Sequence, residues 1–502
     1  MEKQELSMLE RLLEWLAVWL RENRLALFSG LGAGLLAHTY AFTNKLVNAD
    51  EVWSLFERGA SVTSGRWGLE LSKWIFPSIS MPWIYGLLSI LLLSLAACCT
   101  IRLFAIESRG LQMLLAAAFV SFPAVTGLFC FMFTSAPYAL AFLLAVLAVY
   151  QAERERLLAW VGACLLLILA IGTYQAYVAL AASFFVIRMI QQLISGKETA
   201  GDVLRYGLRR VALLLVSMGI YYGICLVALS LTGLSFAEYG VERNTGIFYK
   251  TALAYSSFLR TFTRGYFAFV RSPLALVFHG ILLVISAAAV LHWLKDRPGT
   301  AKSALLILCL LLFPLSVYCI FWIAETGIIH SLVLHSFVSV YVLAAVLVET
   351  VPERPGRWGR DAVLLALALI VAGNVFFANK VYLKMHFQYE QAYSIYTGLV
   401  TRIETMEGFN ADKKVAIVGS GRDLGHQMDE LNTEGLMGPS VNLIDIYTRD
   451  LFLQRYLGFD VRFATEGERI RLMRDPRVQE MACYPYEGSV QLIDDFVVVR
   501  LG

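Results

Sequence analysis

The chain has 502 residues, of which 58% are hydrophobic and 16% charged, against about 45–50% and about 25% in an ordinary soluble domain. With a mean hydropathy of +0.63, these figures exclude an ordinary cytosolic enzyme, a disordered chain and a disulfide-stapled secreted domain. A net charge of +3 excludes the strongly basic face that binding nucleic acid requires.

The first 24 residues form an amphipathic stretch (Leu9, Leu12, Leu13, Trp15, Leu16, Trp19) without the layout of a cleavable signal peptide, which predicts a helix lying on the membrane surface. Eleven apolar runs follow, near 25–43, 84–101, 111–128, 131–150, 157–172, 174–190, 208–232, 273–293, 303–323, 331–349 and 362–379. Each is judged against the rule of about 20 apolar residues per bilayer crossing. The nearly continuous stretch 157–190 is split at Gly172–Gln175, because about 34 residues is too long for one crossing. Lysine and arginine crowd the N-terminal segment and the even-numbered connections, from Arg102 and Arg109 through Arg154, Arg156, Arg205, Arg209 and Arg210 to Arg360, whereas the short connections 123–133, 171–175 and 324–330 have none. That asymmetry places the N-terminus in the cytoplasm and, with eleven spans, the C-terminal region outside.

Beyond residue 380 the composition becomes that of a polar domain of about 120 residues. A helix is predicted over 385–407, a strand at Val415–Val418, helices over 443–456 and 466–481, and a hairpin of Val490–Ile493 and Phe496–Val499 turning at Asp494–Asp495. The fold class is therefore a polytopic α-helical membrane protein of about eleven transmembrane helices (1–380) with a small extracytoplasmic α/β domain (381–502). The VGSGRD run (Val418–Asp423) lacks GxGxxG spacing and reads as a plain turn. The eight cysteines show no CxxC or Cys/His ligand spacing and read as small hydrophobic residues in helix packing.

Polar side chains gather on the outer face. Just past the first span come Asn48-Ala49-Asp50-Glu51, Trp53, Arg58 and Ser64-Gly65-Arg66-Trp67-Gly68. Two readings stand for this loop. A carboxylate at the mouth of a cavity can take a proton from an attacking hydroxyl, with arginine nearby to hold a phosphate; or the loop is a solvated acidic turn with snorkelling arginines. Trp67, Leu71, Trp74 and Ile75 share one face of a short interfacial helix. A second such helix is predicted over 248–271, with Tyr255, Phe258, Phe262 and Tyr266 at helical spacing and Arg260, Arg264 and Arg271 along one edge. Those arginines suit a lipid phosphate or anionic headgroups in general. Gly172-Thr173-Tyr174-Gln175 forms the turn between spans five and six, suited to sugar hydroxyls or to capping helix ends. Glu325, His330 and His335 surround the outer end of spans nine and ten, as a proton relay or sugar contact or as interface residues; Asn374 in the last span reads as helix–helix glue.

An acidic pair soon after the first helix of a multispan chain resembles the GT-C superfamily of membrane glycosyltransferases. Asp50-Glu51 followed by Ser64-Gly65-Arg66-Trp67 and later Tyr174-Gln175, together with the Tyr484-Pro485 to Asp495-Phe496-Val497 ending, resembles the Gtr type II family, the bacterial serotype-converting O-antigen glucosyltransferases. The resemblance implies transfer of a hexose, glucose by the family, from a polyprenyl-phosphate donor to a glycan or lipid-linked oligosaccharide outside the cytoplasm of the bacterial inner membrane. The anomeric centre inverts. Carried over, Asp50 is the general base and Glu51 its positioning neighbour. Arg58, Arg66, Arg260 and Arg264 hold the donor phosphate, and Trp53, Trp67, Tyr174, Gln175, Glu325 and His330 contact sugar or acceptor. A polyprenyl-phosphate glucosyl synthase and a flippase are the implied functional partners, beside the membrane lipids.

Members of the superfamily that use a divalent ion tend to supply a second acidic cluster from another outer loop. Here only Glu325, Glu238 and Glu242 are available outside the first loop in the membrane part. Since hard cations need several oxygens, no obligatory metal is expected. Two other functions compete. A lipid-linked-sugar flippase predicts charged or broken helices near mid-bilayer, and the span interiors are almost free of charge. A polysaccharide polymerase or ligase predicts a very large outer loop with arginines, which 233–272 matches in part.

Overall fold

The computed structural model describes residues 7–54, 61–77, 79–237, 246–263, 273–295, 299–323, 331–351, 353–410, 412–421, 424–425, 442–444 and 448–502. Ten helices among them are long and apolar enough to cross a membrane, and Leu157–Thr173 is a shorter apolar one. Each of the eleven expected runs overlaps one of these helices; the long helix of the ninth, expected over 303–323, ends at Val317. Their ends follow local chemistry. Thr199 and Asp202 form a capping box at the start of Ala200–Thr232, Gly196 and Gly233 end their helices in the left-handed conformation, and Pro82 and Pro123 open theirs.

Two helices outrun the bilayer. Met8–Thr43 is a single helix of 36 residues, so the amphipathic stretch expected to be a separate surface helix continues into the first span. Glu353–Glu404 is a single helix of 52 residues that joins the last span to the helix expected at 385–407. At 1.5 Å per residue these are about 54 and about 78 Å long, against a hydrocarbon core of about 30 Å.

The described chain falls into two compact units: one of residues up to Thr43 and from 61 to Asn379, the other of the described residues in 44–59 and 380–502. In the first, Arg109–Phe129 and Met132–Ala152 are buried over 83% and 78% of their apolar lengths and form the centre, while Ala200–Thr232 and Thr300–Val317, at 17% and 22%, keep broad apolar faces for lipid. Asn23 and His38 are buried polar groups of the first helix, and His38 Nε2 lies 2.8 Å from the Val120 carbonyl oxygen.

The second unit is built on a three-stranded sheet in the order β1-β3-β2, with β1 (Lys414–Val418) parallel to β3 (Phe496–Arg500) and β2 (Val490–Ile493) antiparallel to it. Alternate residues of β1 and β3 face two separate cores. Val415, Ile417, Val497 and Val499 meet Ala392, Tyr396, Leu399 and Ile403 of the long helix; Ala416, Val418, Phe496 and Val498 meet Leu472 and Val478. This two-sided burial explains the continuous apolar character of both strands. The helix predicted over 466–481 is two helices, Glu466–Met473 and Pro476–Glu480, with Asp475 capping the second, because Pro476 removes an interior backbone donor. The one predicted over 443–456 runs from Arg449 to Leu457. In the VGSGRD run the Ser420 amide donates to the Gly502 carbonyl at 2.9 Å and Gly419 has φ +90°, so that turn closes on the backbone just past β3.

Candidate active site

The acidic pair lies on a six-residue helix, Ala49–Ser54. Asn48 starts it: its Oδ1 accepts the Glu51 amide at 2.9 Å, as an N-cap does. The apolar residues of this segment, Val47, Ala49 and Val52, belong to the core of the second unit, beside Tyr396, Phe452 and Val499. Burial then separates the two carboxylates. Glu51 is 1% exposed and Asp50 is exposed. Glu51 Oε1 is ion-paired with Lys45, and its Oε2 is buried without a hydrogen-bond partner among the described residues. Trp53 on the same helix is exposed.

This helix is held at both ends by residues some four hundred positions downstream. Arg455 Nη1 donates to the Val52 and Trp53 carbonyls at 2.7 and 2.8 Å, and Thr448 Oγ1 donates to the Ala49 carbonyl at 3.4 Å. Tyr456, stacked on Phe452 at 4.9 Å, has its phenol kept protonated first by burial and then by the charge of Glu51. These contacts to the acidic helix are ones that reading the sequence missed, and no motif marks the residues that make them. Arg455→Met is expected to lower turnover about 10- to 100-fold, the range a small misplacement of a reacting group produces, with unchanged donor KM and thermal unfolding. Unchanged turnover would show that the grip on the acidic helix is structural only.

The arginine-bearing loop is part of the first unit. Gly65 takes φ +71°, open to glycine without cost, and the Arg66 amide donates to the Ser61 carbonyl at 2.7 Å. Gln175 Nε2 donates to the Ser64 carbonyl at 2.7 Å and to the Tyr221 hydroxyl at 3.0 Å, and that hydroxyl donates to the Gly65 carbonyl at 3.0 Å. Trp67 is buried with its ring against Gly172, while Gly68 lies where a Cβ would stand 2.7 Å from the Thr173 amide nitrogen. Two glycines thus let Ser64-Gly65-Arg66-Trp67-Gly68 interlock with Gly172-Thr173-Tyr174-Gln175. Arg66 is half-buried; its Nη1 donates to the Tyr138 hydroxyl at 3.2 Å and its guanidinium lies 5.2 Å from the Tyr174 ring centroid. Tyr138 and Tyr174 stack at 4.5 Å. Beneath them Tyr177, Phe142 and His335 form an aromatic layer, with His335 4.2 Å from Phe142. His335 is buried, which corrects its reading as an interface residue.

Arg260 is exposed on the helix Ile247–Thr263, whose Phe258 and Phe262 pack against Phe337 at 5.4 and 5.7 Å. The aromatic stripe expected at the membrane interface therefore faces other helices. Arg58, Arg264, Arg271, Glu238, Glu242, Glu325 and His330 lie outside the described residues. Among the described residues no three His, Cys, Asp or Glu side chains gather to hold a metal ion.

The model of the family described as Glucosyl transferase GtrII matches residues 39–348. The match takes in the acidic helix, the arginine loop and the Tyr174-Gln175 turn, and ends before most of the second unit. No curated protein and no solved structure matches the chain.

Proposed function

The chain belongs to the glucosyl transferase GtrII family, and we propose that it moves glucose from a polyprenyl-phosphate donor to a cell-surface or lipid-linked glycan on the outer side of the bacterial cytoplasmic membrane. Asp50 takes the proton of the acceptor hydroxyl as its oxygen attacks the anomeric carbon. The bond from that carbon to the phosphate oxygen breaks, polyprenyl phosphate leaves, and the configuration inverts. Arg66 is the proposed ligand of the phosphate, on which negative charge grows as the bond breaks. Arg58, Arg260 and Arg264 are further candidates. Trp53 and the Tyr174-Gln175 turn are the proposed contacts to sugar and acceptor.

The observation that carries the reading is the division within the acidic pair. Glu51 is ion-paired through one oxygen and has a second buried oxygen without a donor. Such an orphan asks for a partner, and an acceptor hydroxyl supplies one. Asp50, exposed beside it, keeps the access that a base needs. Because the glucosyl carrier is used outside, a synthase that loads it in the cytoplasm and a flippase that turns it over are the partners this reading requires.

The test is transfer in proteoliposomes with labelled polyprenyl-phosphate glucose and a lipid-linked glycan. Label is expected in the glycan with the opposite anomeric configuration, and polyprenyl phosphate is expected as the second product. Chelation is expected to leave the rate unchanged, because outside the first loop the membrane part offers only Glu325, Glu238 and Glu242 and a hard cation needs several oxygens. Transfer from a nucleotide sugar alone overturns the donor assignment. Loss of transfer on chelation with recovery in Mg²⁺ or Mn²⁺ overturns the metal-free mechanism.

A further inference from the structure

A cavity of about 760 Å³ opens where Met132–Ala152 and Tyr177–Ser195 end and Leu157–Thr173 and Ala200–Thr232 begin. It sits at the opposite end of Leu157–Thr173 from the Tyr174-Gln175 turn, about 25 Å away at 1.5 Å per residue. Five arginines line it against three carboxylates. On its rim, Arg205 and Arg209 approach Asp202 and Glu155 only to 3.9 and 3.8 Å, with 71% and 61% of their side chains exposed. Pairs so distant and so exposed contribute little.

The floor is different. Arg210 has 9% of its side chain exposed, stands over the Tyr206 ring at 4.5 Å, and has Nε buried without a partner among the described residues. Its nearest carboxylate, Glu153, is 3.9 Å away and already accepts from Arg188 at 2.8 Å and from the Tyr206 hydroxyl at 2.6 Å. Arg188 answers the charge of Glu153, so Arg210 is a buried cation in surplus, which a low-dielectric site tolerates only beside an anion. On either side of the cavity Leu157, Leu158, Leu204 and Leu208 are exposed, on apolar helices whose outer faces suit acyl chains.

We infer that this cavity is a binding site for the phosphate headgroup of an anionic phospholipid, remote from the proposed glucosyl-transfer site. Arg210 meets the phosphate at the floor, Arg205 and Arg209 close over it from the rim, and the acyl chains run down the leucine flanks. Anionic headgroups at large need only a charged surface; a buried guanidinium behind exposed ones makes a pocket of defined size.

Native mass spectrometry of the purified full chain with phosphatidylglycerol, with phosphatidylcholine, and with phosphatidylglycerol plus inorganic phosphate tests the site. One phosphatidylglycerol is expected to remain bound preferentially and to resist inorganic phosphate. Arg205→Gln with Arg209→Gln is expected to weaken it about 30-fold, the effect of two basic groups at an anionic lipid surface. Arg21→Gln with Arg24→Gln, which alters exposed arginines of the first helix, is expected to change nothing. Equal retention of both lipids, or equal weakening by both double variants, overturns the site. Displacement by inorganic phosphate at equal concentration overturns its lipid nature. None of these residues belongs to the proposed catalytic loops, so glucosyl transfer from a saturating donor separates failure of this inference from failure of the enzymatic one.

Discussion

Asp50→Asn is expected to abolish glucosyl transfer while the chain folds and binds its lipid donor as before. The carboxamide keeps the size and shape of the carboxylate, and Asp50 is exposed at the first turn of its helix, so no core contact is lost. What is lost is proton affinity, and removing a positioned general base costs about 10²- to 10⁴-fold in rate. Glu51→Gln separates the two roles. It removes the charge that faces Lys45 but leaves an amide oxygen and nitrogen in the same buried place. If Glu51 orients the acceptor, the variant raises the acceptor KM and lowers turnover less than Asp50→Asn does. Near-normal turnover of Asp50→Asn sinks the mechanism. The reverse ranking of the two variants moves the base to Glu51.

Much of this architecture was legible because hydropathy and length decide it. Every expected span overlaps a helix, and the hairpin turning at Asp494–Asp495 has the predicted pairing. Continuity was harder to read. The last span runs on through residue 404 because no proline and only Gly398 interrupts 380–404, and a change of composition by itself is no stop signal. Pro476 was a legible break: the rule against proline inside a helix divides 466–481 where the structure does. The grip of Thr448 and Arg455 on the acidic helix was not legible. Periodicity reports which face of an element is buried, and says nothing of which polar side chain four hundred residues away reaches a loop carbonyl. The interlocking of the arginine loop with the Gly172–Gln175 turn stands between these cases. Both segments carry a glycine within two residues of an aromatic residue, but only coordinates show that Trp67 meets Gly172 and Gly68 meets Thr173.

Arg66→Ala is expected to reduce kcat/KM for the lipid donor about 10²- to 10³-fold, the loss seen when one donor to a developing oxyanion is removed. The prediction is tied to how Arg66 is held. Its guanidinium lies against Tyr174 and donates to Tyr138, so the fork is oriented before substrate arrives and little ordering remains to be done on binding. Arg66→Lys keeps the charge but not the planar fork and is expected to recover only part of the loss. Tyr138→Phe removes the orienting hydroxyl alone and is expected to fall between Arg66→Lys and the parent chain. The distribution between constants decides what Arg66 does. A rise in donor KM at constant kcat assigns it to ground-state binding of the phosphate; an equal fall in kcat and kcat/KM assigns it to the charge that grows as the glycosidic bond breaks. Unchanged donor KM and unchanged kcat in Arg66→Ala remove Arg66 from the phosphate site and leave the exposed Arg260, with Arg58 and Arg264, as the cations to be tested.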